Sequence, residues 1–213
     1  MGRSSKEEAA KTRERILKAA LILFSEKGYN RTTFVHIATR IGVSKGAVYW
    51  HFKNKPSLLA ELTRQQYHRL QKIIEQQVPR RETLDDLRTY FLARVRLVDT
   101  DATARKFLFF IEYQMEWSSS LIASIKKQLE DLREGPFEGI RRVLLAAQKA
   151  GEIRPDINVD EAAAGFLAFG KGLSSIAVLD KISVDLYKSA EVCIDLMLEG
   201  LKGTASTQTS LIR

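Results

Sequence analysis

The sequence predicts an all-α protein. Apolar residues recur at three- and four-residue spacings along the chain to Gly203, and no segment alternates apolar and polar residues as a half-buried strand would. Between Thr32 and Leu59, moreover, two short helical patterns meet at a glycine. About nine helices are expected, three of them in a small amino-terminal domain that carries this motif and the rest in a larger helical domain.

The elements follow in chain order. A basic amphipathic segment ends in LFSEKGY. Thr32 and Thr33 are residue types whose hydroxyls satisfy free backbone amides at a helix start. Phe34, Ile37, Ala38 and Ile41 then fall on one face of a short helix. Gly42 suits the left-handed conformation that ends it, Val43 turns inward, and Ser44 caps a second helix over about Lys45 to Phe52. With Ala47, Val48 and Phe52 toward the core, Lys45, Gly46, Tyr49, Trp50 and His51 project outward. A cationic residue at the positive end of a helix dipole attracts phosphate and guanine acceptors, and Lys53 and Lys55 add backbone contacts nearby. The motif is the outline of a helix-turn-helix DNA reader. Charge agrees with it: residues 1–77 hold 15 Lys and Arg against 6 Asp and Glu, or +9 of the chain's net +8, leaving −1 for the other 136 residues. Phosphate neutralisation needs such a concentration of cations.

These residues, from LFSEKGY through RIGVSKGAVYWHFKNK, resemble the amino-terminal domain of TetR-family transcriptional repressors, and YWHF resembles the branch that regulates multidrug efflux pumps. The resemblance covers about the first third of the chain. It implies a three-helix domain over 9–55 whose first helix spans about Ala9 to Lys27, with Ile16, Ala19, Ala20, Leu23 and Phe24 inward. It implies DNA contacts from Thr33, Ser44, Lys45, Gly46, Tyr49, Trp50, His51 and Lys55, foremost Lys45, Tyr49 and His51, with close backbone approach at Ala47. A dimer on palindromic double-stranded operator DNA follows from the same likeness.

The larger domain is expected over 56–202. A long helix from Pro56 to Gln77 leaves the DNA domain and ends before Pro79. Leu84, Leu87, Phe91 and Val95 mark the next helix, over Leu84 to Val98. Helices over about 103–116, 119–134 and 137–150 follow, the last two divided by Gly135 and Pro136, and then a pair over 160–180 and 184–201. KFLFFIEYQMEW, residues 106–117, is apolar around too much of its circumference for a surface helix. Phe107, Phe110, Tyr113 and Trp117 are candidates to line a cavity, together with Phe91. Glu112, in a row with Glu116, offers a carboxylate to a small hydrophobic ligand, including a cationic aromatic one. The competing reading is an aromatic core with two solvated glutamates. The resemblance adds Tyr67, Phe166 and Phe169 to the ligand-binding candidates.

Gly165, Gly170 and Gly172, and a stripe of Tyr187, Ala190, Ile194, Met197, Leu198 and Leu201, give the last two helices the composition of a homodimer interface over about 160–201. The competing reading is that they merely close the protomer's own core, and part of each stripe is expected to do so in either case. The tail, 203–213, is polar and expected to be loose.

Several classes are disfavoured. GFLAFGKG at 165–172 lacks the Ser or Thr and the preceding strand of a phosphate-binding loop. His36, His51 and His68 show no spacing for a shared metal, and neither HExxH nor G-x-S-x-G occurs. No cofactor and no catalysis are expected. No uninterrupted apolar run of 18 residues suggests a membrane span, and the amino terminus lacks the apolar stretch of a secretory signal. Lone Cys193 lies in an apolar helical pattern and is expected buried, as in a cytoplasmic protein. The resulting expectation is a ligand-responsive repressor of an efflux operon. Open alternatives are a related regulator responding to an acyl chain, flavonoid or signal molecule, and a helical dimeric scaffold.

Overall fold

A computed structural model of the chain describes residues 2–79, 82–115, 135–179 and 183–202. Among them are nine α-helices and no strand. The helices are α1 (Gly2–Lys27), α2 (Phe34–Ile41), α3 (Lys45–His51), α4 (Lys55–Gln77), α5 (Leu84–Thr100), α6 (Ala102–Phe109), α7 (Pro136–Lys149), α8 (Val159–Leu179) and α9 (Leu186–Lys202). A π-helical turn, Phe110–Gln114, follows α6 directly. Trp117, Glu116, the expected helix over 119–134 and the tail lie outside the described residues.

The described residues form two compact units. One gathers those through Leu70 with those from Ala102 to 115, and the other gathers Gln71–Asp101 with those from 135 on. In the first unit the expected inward stripe of α1 is buried throughout: Ile16, Ala20 and Phe24 have no exposed surface, and Ala19 and Leu23 very little. The helix itself begins at Gly2, seven residues ahead of the expected start at Ala9. Around the stripe pack Phe34, Ile37 and Ala38 of α2, Val48 of α3, Leu58, Leu59 and Leu62 of α4, and Phe107 and Phe110. Phe110 stacks on Phe24 with ring centroids 5.2 Å apart.

The local chemistry of the α2–α3 turn explains its boundaries. Thr33 Oγ1 accepts from His36 N while His36 Nδ1 accepts from Thr33 N, each at 3.3 Å, a reciprocal cap at the start of α2. Thr32, the other expected cap, is wholly buried instead, and its hydroxyl hydrogen-bonds the carbonyls of Leu23 (3.2 Å) and Gly28 (2.9 Å). Gly42 ends α2 at φ 70°, where a side chain would strain the backbone. Ser44 Oγ accepts from Ala47 N at 3.1 Å and starts α3.

In the second unit, Arg88 of α5 donates to Glu191 and Asp195 of α9, both at 3.0 Å. Its hydrogen bond holds the Asp195 carboxyl below the usual range. Phe91 sits with Phe166 (5.9 Å between centroids) and Phe169 (6.1 Å) of α8. A Cβ on Gly170 would meet Phe91 Cε1 at 2.6 Å, so this glycine lets α5 approach α8 within the protomer. The expected role for Gly170 in pairing with another copy is corrected accordingly.

Part of the α9 stripe closes the protomer's own core, while Tyr187 and Met197 are half-buried. Ala190, Ile194, Leu198 and Leu201 are buried in the protomer's own core, whereas Val192 and Leu196 are 59% and 69% exposed. Cys193 lies on that open face and is exposed, contrary to the expected buried thiol. Helix α8 is long and apolar enough, by length and composition, to cross a membrane. Its Ala163, Phe166, Gly170 and Leu173 are nevertheless buried within the unit, as in a core helix.

Candidate functional site

The outward face of α3 is where the first unit gathers chemistry that its own core does not use. Val48 has no exposed surface and Phe52 almost none, and these two anchor the helix. Opposite them, Tyr49 is 50% and Trp50 75% exposed, two adjacent large rings open to solvent. Tyr49 is held edge-on against Phe34 of α2 (centroids 4.9 Å), with Lys45 Nζ 5.5 Å from its ring. Trp50 meets the His51 ring edge-on at 4.6 Å. Lys45 and Gly46 are exposed, and Ala47 is half-buried. At Gly46 a Cβ would touch only Ser44 Oγ, at 3.7 Å, so nothing within the protomer requires glycine there. Thr33 and Ser44 sit at the two helix starts with their hydroxyls engaged in capping.

His51 is half-buried, and burial, reinforced by the Arg13 charge, lowers its pKa below the ordinary value. Arg13 lies over the Phe52 ring at 4.7 Å and pairs with Glu61 of α4 at 2.9 Å. At Glu61, burial alone would raise the carboxyl's pKa, but hydrogen bonds from Arg64 and Arg13 outweigh it and leave it lowered.

Lys55 is placed differently from the other basic candidates. Its Nζ donates to the carbonyls of Tyr29 (2.9 Å), Thr32 (3.1 Å) and Asn30 (3.2 Å), and lies 4.3 Å from the Tyr29 ring. An ammonium has three protons, and all three are engaged. Burial lowers the Lys55 pKa and pushes the Tyr29 hydroxyl up to about 12. In this geometry Lys55 fastens the start of α4 to the α1–α2 turn.

The ligand-binding candidates fall into two sets, one in each unit. In the first, Tyr67 of α4 meets Phe107 edge-on at 5.4 Å and is 37% exposed. Phe107 and Phe110 are wholly buried, and Phe110, stacked on Phe24, is core and not an open wall. The expected α-helix over 103–116 widens into the π-turn after Phe109, which shifts the register of everything beyond it. Tyr113 there is 40% exposed, and Glu112 is exposed. In the second unit Phe91 and Phe166 are buried and Phe169 is half-buried. Two polar residues of the first unit escaped the sequence reading: Thr63 and Gln66, 2% and 7% exposed, interrupt the buried face of α4. A polar side chain on an otherwise apolar helix face was the signal.

A capped two-helix motif with a basic, aromatic outer face, on an all-helical body, defines a helix-turn-helix DNA-binding regulator. The model of the bacterial regulatory proteins of the tetR family matches residues 16–62. The probable transcriptional regulator ArpR of Pseudomonas putida is 30% identical over 205 residues, covering 95% of this chain and 97% of the relative. The transcriptional regulator TtgR, also of Pseudomonas putida, is 29% identical with the same coverage. Among solved structures, NalD, the secondary repressor of the MexAB-OprM multidrug efflux pump in Pseudomonas aeruginosa, superposes with a TM-score of 0.72 at 26% identity, covering 92% of this chain and 97% of that one. A complex of SmeT with triclosan gives 0.74 at 26% identity, covering 92% and 93%. The chain belongs to the TetR family of transcriptional regulators and is not an enzyme.

Proposed function

We propose that the protein is a repressor that binds a palindromic operator as a dimer and is released by a small hydrophobic compound, and that it controls a multidrug efflux operon from the cytoplasm. The observation that carries the DNA half is the division of α3: Val48 and Phe52 inward, Lys45, Tyr49, Trp50 and His51 outward. Lys45 and Tyr49 act on bases and phosphates, the open side of Gly46 and Ala47 admits the DNA backbone, and the capped ends at Thr33 and Ser44 offer polar groups to phosphate. Lys55 acts by positioning. The functional division is 9–55 for DNA, 56–202 for ligand and dimer, with 203–213 as a tail.

The dimer half is supported by the open apolar face of α8 and α9, where Ile176, Leu179, Val192 and Leu196 are exposed. In a dimer the two α3 helices must stand about 34–36 Å apart to enter successive major grooves. A ligand relieves repression by favouring a different spacing, and its effect is limited to its preference between the two states. The efflux assignment is supported by the likeness to NalD, and the small hydrophobic ligand by the likeness to SmeT in its complex with triclosan.

The test is fluorescence anisotropy on DNA upstream of the protein's own gene, with Lys45→Ala and Tyr49→Ala as variants. The expected result is tight, salt-sensitive binding lost in both variants at unchanged helicity, and relieved by one class in a panel of hydrophobic and cationic compounds. Sequence-indifferent binding sinks the operator reading; undiminished operator binding at saturating concentrations of every compound sinks the ligand reading.

A further inference from the structure

Resting on the ligand-release reading above, we infer that Arg94 of α5 anchors the ligand in the second unit and that the compound it takes is an aromatic carboxylate. The three arginines of α5 are placed in three ways. Arg88 is spent on Glu191 and Asp195 of α9. Arg96 is exposed and lies over the Tyr187 ring of the same helix, 4.7 Å from its centre. Arg94 is half-buried, and among the described residues its partner is a phenol and not a carboxylate. Its Nη1 donates to Tyr90 Oη at 3.0 Å, with the guanidinium 5.6 Å from the centre of that ring. Charges withdrawn from water are ordinarily paired, because the hydration they give up has to be replaced. A guanidinium carries five N–H donors in a planar fork, and one bond to a neutral hydroxyl leaves its charge unneutralised.

The charge stands at the edge of an aromatic cluster. Four residues after Tyr90 and three after Phe91, Arg94 falls on the helix face between them. Tyr90 meets Phe91 edge-on at 5.4 Å, and Phe91 continues to Phe166 and Phe169 of α8. Tyr90, Phe91 and Phe166 are buried, whereas Phe169 and Arg94 each keep part of their surface open. A compound with one aromatic and one anionic end suits this set. Its ring extends the edge-on and offset contacts of the cluster, and its carboxylate accepts two parallel N–H bonds from the guanidinium fork. Tyr90 acts by holding that fork. A guanidinium only donates, so a cationic compound meets like charge and finds no acceptor on Arg94. A neutral ester accepts a bond without bringing charge, and such bonds have roughly half the strength. A hydrocarbon displaces water from the guanidinium and offers nothing in its place.

The experiment uses 2-naphthoate, its methyl ester and 2-naphthylmethylamine, one ring system with an anionic, a neutral and a cationic end. Each is titrated calorimetrically near neutral pH into the full-length protein and into the Arg94→Met and Arg94→Gln variants, one apolar and one polar but neither charged. The carboxylate is expected to bind the parent protein at least about tenfold more tightly than the ester, the scale of a hydrogen bond to a charged group. The amine should bind more weakly than the ester, and operator DNA should be released in the same order. In both variants the carboxylate loses its advantage while the affinity of the ester is kept or improved. Circular dichroism checks that each variant is folded, and either one decides the matter if the other is not. A carboxylate advantage that survives in a folded variant overturns the assignment, as does tighter binding of the amine than of the ester by the parent protein. Equal binding of all three compounds overturns the arginine anchor but leaves ligand release standing. Failure of all three to bind also overturns it, and the wider compound panel then decides ligand release separately.

Discussion

Two lysines ten residues apart show how little the residue type says about its work. Lys45 is exposed on α3, its ammonium 5.5 Å from the centre of the Tyr49 ring. Lys55 spends its three protons on the carbonyls of Tyr29, Asn30 and Thr32. Lys55→Met should therefore cost about 1–2 kcal/mol of folding stability in urea titrations, since water can replace only part of what the carbonyls lose. Lys45→Ala should leave the urea midpoint in place and weaken operator binding. The reverse pattern would exchange the roles. His51 gives a pH signature. Its pKa in the free protein lies below the ordinary value near 6.5, so at pH 7 the imidazole is neutral. Phosphate nearby favours the imidazolium; operator binding then takes up protons and tightens as pH falls from 8 toward 6, by at most about one proton per protomer. The sign for stability is opposite. With the folded pKa lowered, the unfolded chain holds the proton more tightly, and this contribution to stability, complete above about 6.5, erodes as pH drops toward the folded value. His51→Gln should flatten the pH dependence of binding in anisotropy titrations between pH 6 and 8.

At the scale of elements, two glycines of α8 divide the work of one helix between core and outer face. Gly170 has Phe91 Cε1 2.6 Å from where a Cβ would stand, while Gly172 has nothing within 4 Å. Gly170→Ala should destabilise the protein by about 1–3 kcal/mol, the usual cost of overpacking. Gly172→Ala, judged on the protomer alone, should gain about 0.5–1 kcal/mol of helix propensity. Gly172→Leu should shift the dimer toward monomer in sedimentation velocity while circular dichroism is unchanged; an intact dimer places the interface elsewhere. This division marks the limit of what the sequence makes legible. The α2–α3 turn was readable to within a residue because its determinants are local: a cap at Thr33, a left-handed Gly42, a cap at Ser44. Which face of α9 turns inward was not, because Ala190, Ile194 and Leu198 form as good a stripe as the open row of Val192 and Leu196, and only packing against α5 chooses. The π-turn at Phe110 was hidden for a like reason, since the register change coincides with Phe110 stacking on Phe24, far away in sequence. Thr32 read as a cap by its type, and only the carbonyls of Leu23 and Gly28 reveal it as buried.

For the whole molecule, the uneven charge is the property that no single contact explains. Net charge near zero would favour association with other copies at working pH, and a uniformly basic surface would hold any nucleic acid; residues 1–77 at +9 and the remainder at −1 avoid both. The consequence is that non-specific attraction is confined to the part that carries α3, where direct readout can act on it. Each phosphate neutralised contributes about −0.9 to the slope of log K against log salt. If a dimer neutralises about six to ten, affinity should fall on the order of a thousandfold or more between 50 and 200 mM salt. Lys45→Ala should lower the magnitude of that slope by about 1.8 for the two protomers together. Arg141→Ala provides the control: that guanidinium is engaged with Asp160 of the second unit, whose hydrogen bond and charge hold its pKa raised, and its loss should leave the slope as it was. Equal effects from Lys45 and Arg141 would mean that the protein attracts DNA through its total charge, and that the asymmetry between the two parts of the chain has no role in recognition.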